Sequence, residues 1–178
     1  AGQTLAVDGN VLGLASARAL QSTLEPKQIT LNTQLDILDE VWSDRPSLPD
    51  APIYEHLPPF AVVSRADKLA AVRAQMQAKG ASWHFVSTVD DIAWIFNLRV
   101  ADVNYNPVFV SHALIGLDSA ILFTPLDKVP QHIVDNLAKD GVTCQPYENA
   151  ASALQNLNAS STLLIDPRRI TYGFQQAI

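Results

Sequence analysis

The sequence has a single cysteine, Cys144, so it cannot form an internal disulfide or a Cys-rich metal site. Basic residues are scarce: twelve Lys and Arg stand against eighteen Asp and Glu, a formal charge of -6. The few cations are scattered, so the footprint that grips a phosphate backbone is missing and nucleic acid is not an expected partner. No uninterrupted apolar run approaches the ~18 to 20 residues of a membrane span, and the N-terminus lacks the basic-then-apolar layout of a signal peptide. These absences lead us to expect a soluble, cytoplasmic protein with no membrane partner. A glycine-rich phosphate loop is also missing, since Gly9 and Gly13 lack the surrounding pattern, and so is a Gly-x-Ser-x-Gly nucleophile turn.

What is present suffices for a core. The chain has 178 residues, 48% of them hydrophobic and 17% charged, which excludes disorder and matches the length of one ordinary domain. Its prolines divide it. Five of the eleven (Pro46, Pro49, Pro52, Pro58 and Pro59) lie close together in a stretch with no helical run. Proline fixes φ and biases its predecessor toward extended backbone, so residues 45–59 read as a stiff linker. The piece before it reads as a strand at Thr4 to Val7, a turn at Asp8 to Asn10 and a helix at Leu12 to Leu24. A strand at Ile29 to Thr33 and a short helix at Gln34 to Trp42 follow. A β-α-β unit this small cannot cover its own sheet edge and core without staples. Residues 1–44 are therefore expected to be the tail of a preceding domain.

Residues 60–178 read as a fuller α/β series. A helix over Ala66 to Lys79 places Leu69, Val72 and Met76 on one face, and Gly80 ends it. A strand at Trp83 to Ser87 leads to Thr88, a capping residue for an all-round apolar helix over Asp91 to Leu98. Val108 to Leu117 and Ala120 to Pro125 suit a hairpin, and Pro130 opens a helix that Asp140-Gly141 closes. A strand at Val142 to Tyr147, a helix from Glu148 to Leu157 and a strand at Thr162 to Ile165 complete a mixed sheet flanked by helices.

The side chains capable of chemistry do not assemble into a site. His56, His84, His112 and His132 share no metal-ligand spacing, and in strand positions His84 and His112 read as satisfied core or surface histidines. Asp90 and Asp91 suit the amides and positive end of a helix N-terminus, and Asp39-Glu40 a solvated face. Cys144 has no neighbouring base and reads as a small buried apolar residue. Arg168-Arg169 is an exposed basic pair. Trp83, Phe85, Trp94, Phe96 and Phe109 read as core rather than as a ligand cage.

Three segments carry more specific information. Residues 40–46 (Glu-Val-Trp-Ser-Asp-Arg-Pro) and 48–54 (Leu-Pro-Asp-Ala-Pro-Ile-Tyr) resemble the linker between the first two domains of three-domain Xaa-Pro aminopeptidases, the aminopeptidase P family. Residues 90–99 (Asp-Asp-Ile-Ala-Trp-Ile-Phe-Asn-Leu-Arg) resemble a helix of that family's second domain, and residues 102–111 the strand entry that follows it. The order and spacing agree; Val100 departs from the family's usual glycine. The resemblance implies a creatinase/prolidase N-terminal-like domain, with a mixed β-sheet flanked by helices, lying before a catalytic pita-bread domain expected beyond Ile178. The family removes an N-terminal residue that precedes proline, using two divalent metals, commonly manganese, held by two Asp, one His and two Glu of that later domain. No catalytic or metal residue is carried onto this chain, which is expected to be inactive alone. The resemblance also implies its partners: a peptide with proline in second position, its own catalytic domain and a second copy in a homodimer. Trp94 and Arg99, an aromatic and a guanidinium suited to anchoring an interface, are candidate contacts at the substrate mouth or between domains. The alternative is a stand-alone binding or scaffold protein with this fold and no peptidase activity.

Overall fold

A computed structural model describes residues 2–178, with Ile37 and Asp39 described by their backbone alone. The chain divides into two compact units, Ala1–Leu48 with Asp166–Ile178, and Pro49–Ile165.

In the first unit, β1 (Thr4–Ala6) runs parallel to β2 (Thr30–Asn32), with α1 (Leu14–Leu24) between them in sequence. This is the expected β-α-β order. The helix begins two residues later than its apolar pattern suggests, because residues 12 and 13 pair with the chain's last segment. The Leu12 carbonyl accepts from the Tyr172 amide at 2.8 Å, and Gly13 forms an antiparallel bridge with Thr171. That segment carries α7 (Tyr172–Ala177), capped by the Thr171 hydroxyl. No local pattern announces α7, partly because Gly173 interrupts it. The glycine suits a close approach, since a Cβ there would lie 3.1 Å from the Gly9 carbonyl oxygen and 2.8 Å from Asn10 Oδ1. Leu14, Ala17, Leu24 and Ile170 form the buried interior of this unit. The short helix α2 (Ile37–Val41) follows β2, delayed relative to expectation because Asn32 and Asp36 carboxamide and carboxylate oxygens take the amides of Gln34 and Leu38. Of the pair read as a solvated face, Glu40 is exposed, and the Asp39 side chain lies outside the described residues.

The second unit opens with the proline-rich stretch, which contains no helix and only the two-residue strand β3 (Tyr54–Glu55), antiparallel to β5 (Leu98–Arg99). Its main sheet has the order β8-β7-β6-β4-β9. These are β4 (Trp83–Val86), β6 (His112–Gly116), β7 (Ala120–Phe123), β8 (Val142–Gln145) and β9 (Leu163–Leu164). The β4/β6 and β6/β7 pairs are antiparallel and the β4/β9 and β7/β8 pairs parallel, so the sheet is mixed, as the hairpin followed by strand-helix-strand order predicts. Every residue of β6 is buried, the pattern of a strand covered on both faces.

Three helices follow the expected signals closely. In α3 (Arg65–Ala78) the Ser64 hydroxyl accepts from the Asp67 amide and donates to its carboxylate, and Gly80 at φ 66° lets the chain turn out of the helix. Leu69 and Met76 are fully buried and Val72 partly so. In α5 (Gln131–Lys139) Ile133 and Leu137 are buried, and Gly141 follows the helix. A single 3-10 turn at Tyr147–Asn149 leads into α6 (Ala150–Gln155). The remaining helix, α4 (Val89–Phe96), starts at Thr88, which takes the N-cap position without a side-chain bond, and stops at Asn97 in the left-handed region (φ 53°). Ile92, Ala93, Ile95 and Phe96 are buried, but the expected all-round burial fails at Trp94, which is 52% exposed. Trp94 therefore lies outside the core; of the other aromatics, Phe96 and Phe109 are buried in one cluster, Phe85 is buried against His112 and Trp83 is partly buried.

Candidate functional site

Two basic residues of α3, Arg65 and Lys68, both reach the C-terminal end of α4. Arg65 is 7% exposed. Its guanidinium donates to Glu55 Oε1 (2.8 Å), Asp140 Oδ2 (2.9 Å), the Phe96 carbonyl (2.8 Å) and the Asn136 carbonyl (3.3 Å). Asn136 in turn donates to the second Glu55 oxygen at 3.0 Å. One cation thus ties β3, α4 and the end of α5 together, with two carboxylates to balance its charge. A groove of about 380 Å³ lies beside it, with Leu57, Pro58 and Val62 on its rim. Because Arg65 is saturated by partners from its own unit, it has no charge to offer a ligand.

Lys68, one helical turn on, is 5% exposed. Its ammonium donates to the Trp94 carbonyl (2.8 Å) and to Asn97 Oδ1, and sits 4.2 Å from the centroid of the Trp94 ring. Arg99 reaches the same helix end, where its Nη1 donates to the carbonyls of Ala93 and Leu98. Neither cation forms an ion pair with a carboxylate among the described residues. Burial, and then the charge of Arg99, hold the Lys68 ammonium below the usual lysine range. Beside them runs a groove of about 280 Å³, lined mostly by apolar atoms, with Val72, Met76, His84 and Leu164 along it.

The structure thus brings the two candidate residues, Trp94 and Arg99, to one end of α4 and adds Lys68. Sequence reasoning missed Lys68, though a signal was available. Lys68 precedes Val72 and Met76 at i+4 and i+8, so its stem had to lie along the apolar face of α3.

The other sequence candidates are dispersed. His84 Nδ1 is 2.9 Å from the Leu164 carbonyl oxygen, and His132 is exposed on α5. His56 stacks on Phe60. His112 is buried against Phe85 and Tyr147 and shares a hydrogen bond with Ser87 Oγ at 3.0 Å, and burial holds its imidazole down to about 4. Asp90 and Asp91 occupy the first turn of α4, both exposed. Burial raises the Cys144 thiol above its usual range. Arg168 and Arg169 flank Asp166 at 3.6 and 3.8 Å, and the Arg168 amide, ahead of other causes, keeps that carboxyl low. Buried Lys128 pairs with buried Asp102, whose Oδ1 has no partner among the described residues. Among the described residues no three His, Cys, Asp or Glu side chains are grouped to hold a metal. Among the same residues no helix is long and apolar enough to cross a membrane.

The second unit is a mixed five-stranded sheet flanked by helices. The chain belongs to the creatinase/prolidase N-terminal domain family, whose match covers residues 44–178. It is 34% identical over 164 residues to a protein of Talaromyces marneffei described as a probable Xaa-Pro aminopeptidase P, spanning 91% of this chain and 25% of that protein. A protein of Laccaria bicolor with the same description is 32% identical over 175 residues, 92% of this chain and 26% of that one. The chain therefore spans about a quarter of the length of the curated relatives it matches. Among solved structures, the X-prolyl aminopeptidase of Caenorhabditis elegans, described as a cytosolic enzyme with a di-nuclear active site, superposes on 99% of this chain and 30% of its own, with a TM-score of 0.92 at 20% identity. That likeness establishes the fold.

Proposed function

We propose that this chain is a non-catalytic domain of a cytoplasmic Xaa-Pro aminopeptidase, a hydrolase that removes the residue preceding proline at a peptide N-terminus. The observation that carries the proposal is the 34% identity through 91% of the chain to a probable enzyme of that kind. The linker-like and helix-like segments at residues 40–54 and 90–99 fall inside the aligned family region or at its margin. In this reading the two divalent metals, commonly manganese, and their ligands belong to the catalytic domain of the parent polypeptide. Residues 1–44 are the tail of a preceding creatinase-like domain, 45–59 the linker and 60–178 the domain proper; the grouping of Asp166–Ile178 with the first unit bears on that last boundary. The domain's role is to wall one side of the active-site mouth, so that only chain ends enter, and to support contacts between domains or between two copies. Trp94 and Arg99 make such contacts.

The test is a comparison of two proteins. The parent polypeptide, supplied with manganese, is expected to release the first residue of an Xaa-Pro-Xaa peptide, and the 178-residue chain to release none under the same conditions. Turnover by the short chain, or a parent without Xaa-Pro activity, would overturn the proposal.

A further inference from the structure

The surface around Trp94 combines two cations that lack carboxylate partners among the described residues with an exposed aromatic ring and an apolar groove. Lys68 and Arg99 both bond carbonyls at the C-terminal end of α4, Ala93 and Trp94 among them, so their charges sit side by side. A helix C-terminus offers roughly half an elementary negative charge, which offsets only part of the charge of Lys68 and Arg99, and neither of them has a carboxylate partner among the described residues. The fold supplies carboxylates where a buried cation needs them: Arg65, on the same helix, has two. The chain as a whole carries -6, so this local excess does not belong to a generally basic surface. Next to the cations, the half-exposed Trp94 ring and the partly buried Val72 and Leu164 leave apolar area along the groove that no described residue of the unit covers. Lowered basicity of Lys68 is consistent with a cation awaiting an anion.

We infer that the Trp94, Lys68 and Arg99 face is a docking surface for an acidic segment of the parent polypeptide. An aspartate or glutamate carboxylate seats against Lys68 and Arg99, and a neighbouring apolar side chain enters the groove beside Trp94. Charge complementarity selects the carboxylate. The source rests on the proposed function: this chain accounts for a quarter of the relatives' length, so the larger part of such an enzyme lies outside it and is tethered to it. Tethering makes the encounter intramolecular, so a modest contact area is enough to keep the face occupied.

Hydroxyl-radical footprinting of the 178-residue chain and of the parent polypeptide tests the inference without relying on any variant. Trp94 oxidation is expected to fall about fivefold or more in the parent, because a well-packed contact excludes water from its centre. In the parent, Arg99→Gln and Lys68→Met, each checked for folding by circular dichroism, are expected to restore Trp94 oxidation. An Arg99→Lys parent treated with a carbodiimide is expected to yield an amide cross-link to an Asp or Glu outside residues 1–178. Equal oxidation of Trp94 in the two proteins overturns the inference, as does a cross-link confined to residues 1–178 or one made only between two copies in an isotope-mixed sample. Protection that appears only when peptide substrate is added also overturns it. Peptidase activity is scored separately. An active parent with an exposed Trp94 sinks the docking surface alone, and an inactive parent with the protected face and the cross-link sinks the peptidase reading alone.

Discussion

Arg65 and Lys68 lie on the same helix, three residues apart, and both are almost fully buried. The difference is in what meets them. Arg65 is enclosed by two carboxylates and two carbonyls drawn from β3, α4 and α5, whereas Lys68 has a carbonyl, a carboxamide and a ring face, with a second cation beside it. Taking a charge out of water costs several kcal/mol unless partners compensate it. The Arg65 cluster is compensated and ties its elements together. The Lys68 cluster is compensated only in part, which is tolerable at the margin of a domain that meets something else.

The comparison breaks most clearly at Arg65. Substituting Arg65→Met leaves Glu55 and Asp140, whose side chains are 13% and 27% exposed, facing each other's charge without a cation. The expected loss is about 3–5 kcal/mol, read as a shift in the urea midpoint at unchanged slope. Adding Glu55→Gln should recover part of that loss. A loss under about 1 kcal/mol for the single variant would show that Arg65 is not what holds these elements together. Lys128 sharpens the same point. It is buried against Asp102 with side chains 3% and 4% exposed, so Lys128→Met is expected to cost about 3 kcal/mol, and Asp102→Asn in the same chain to restore most of it. If the double variant is no better than the single one, the cost comes from packing of the lysine stem rather than from a stranded carboxylate.

Which of these clusters the sequence discloses follows from their span. The glycines after α3 and α5 and the apolar spacing of Leu69, Val72 and Met76 are local signals, and the structure follows them within a residue or two. The mixed sheet follows from the order of elements. Glu55, Arg65, Asp140 and Asn136 meet across gaps of 10 to 81 residues, and no local pattern announces that meeting. The same holds for α7, whose start is fixed by hydrogen bonds to Leu12 and Gly9. Chemistry and family likeness point to Trp94 and Arg99, and the apolar spacing of α3 places the Lys68 stem on its buried face, but that Lys68 meets the other two follows only from the packing of α3 against α4. Trp94 also shows how an apolar run misleads. In Ile92 to Phe96 every residue is apolar, so nothing in the run marks the one position that faces outward.

His112 extends the comparison to a group that burial keeps neutral instead of charged. Its imidazole titrates at about 4 in the folded chain, below the ordinary value of 6.5 in the unfolded one. Between those values the unfolded state binds a proton that the folded state does not, so stability is highest above about pH 6.5 and falls as pH drops toward 4. The full difference is about 3 kcal/mol. Denaturant titrations at pH 7, 5.5 and 4.5 measure it. A His112→Gln variant, which cannot take up the proton, should lose stability less steeply over that interval. Parallel curves would place the acid sensitivity elsewhere.

The smallest expected effect is at Lys68. Lys68→Met keeps the stem that lies along Val72 and Met76 but removes the ammonium, along with a cation-π contact of roughly 0.5–1 kcal/mol and two hydrogen bonds at the end of α4. Against those losses, the variant no longer holds a desolvated cation beside Arg99 with no carboxylate to balance it. The opposing terms should leave a net cost of about 1 kcal/mol in the 178-residue chain, a few-fold below the cost at Arg65. Paired urea titrations of the two variants read that gap directly. Equal losses would mean that Lys68 is as much a structural tie as Arg65 and that its missing carboxylate has no consequence. A small loss leaves a buried lysine whose charge the isolated domain scarcely needs, which is the condition under which a partner's carboxylate gives it a use.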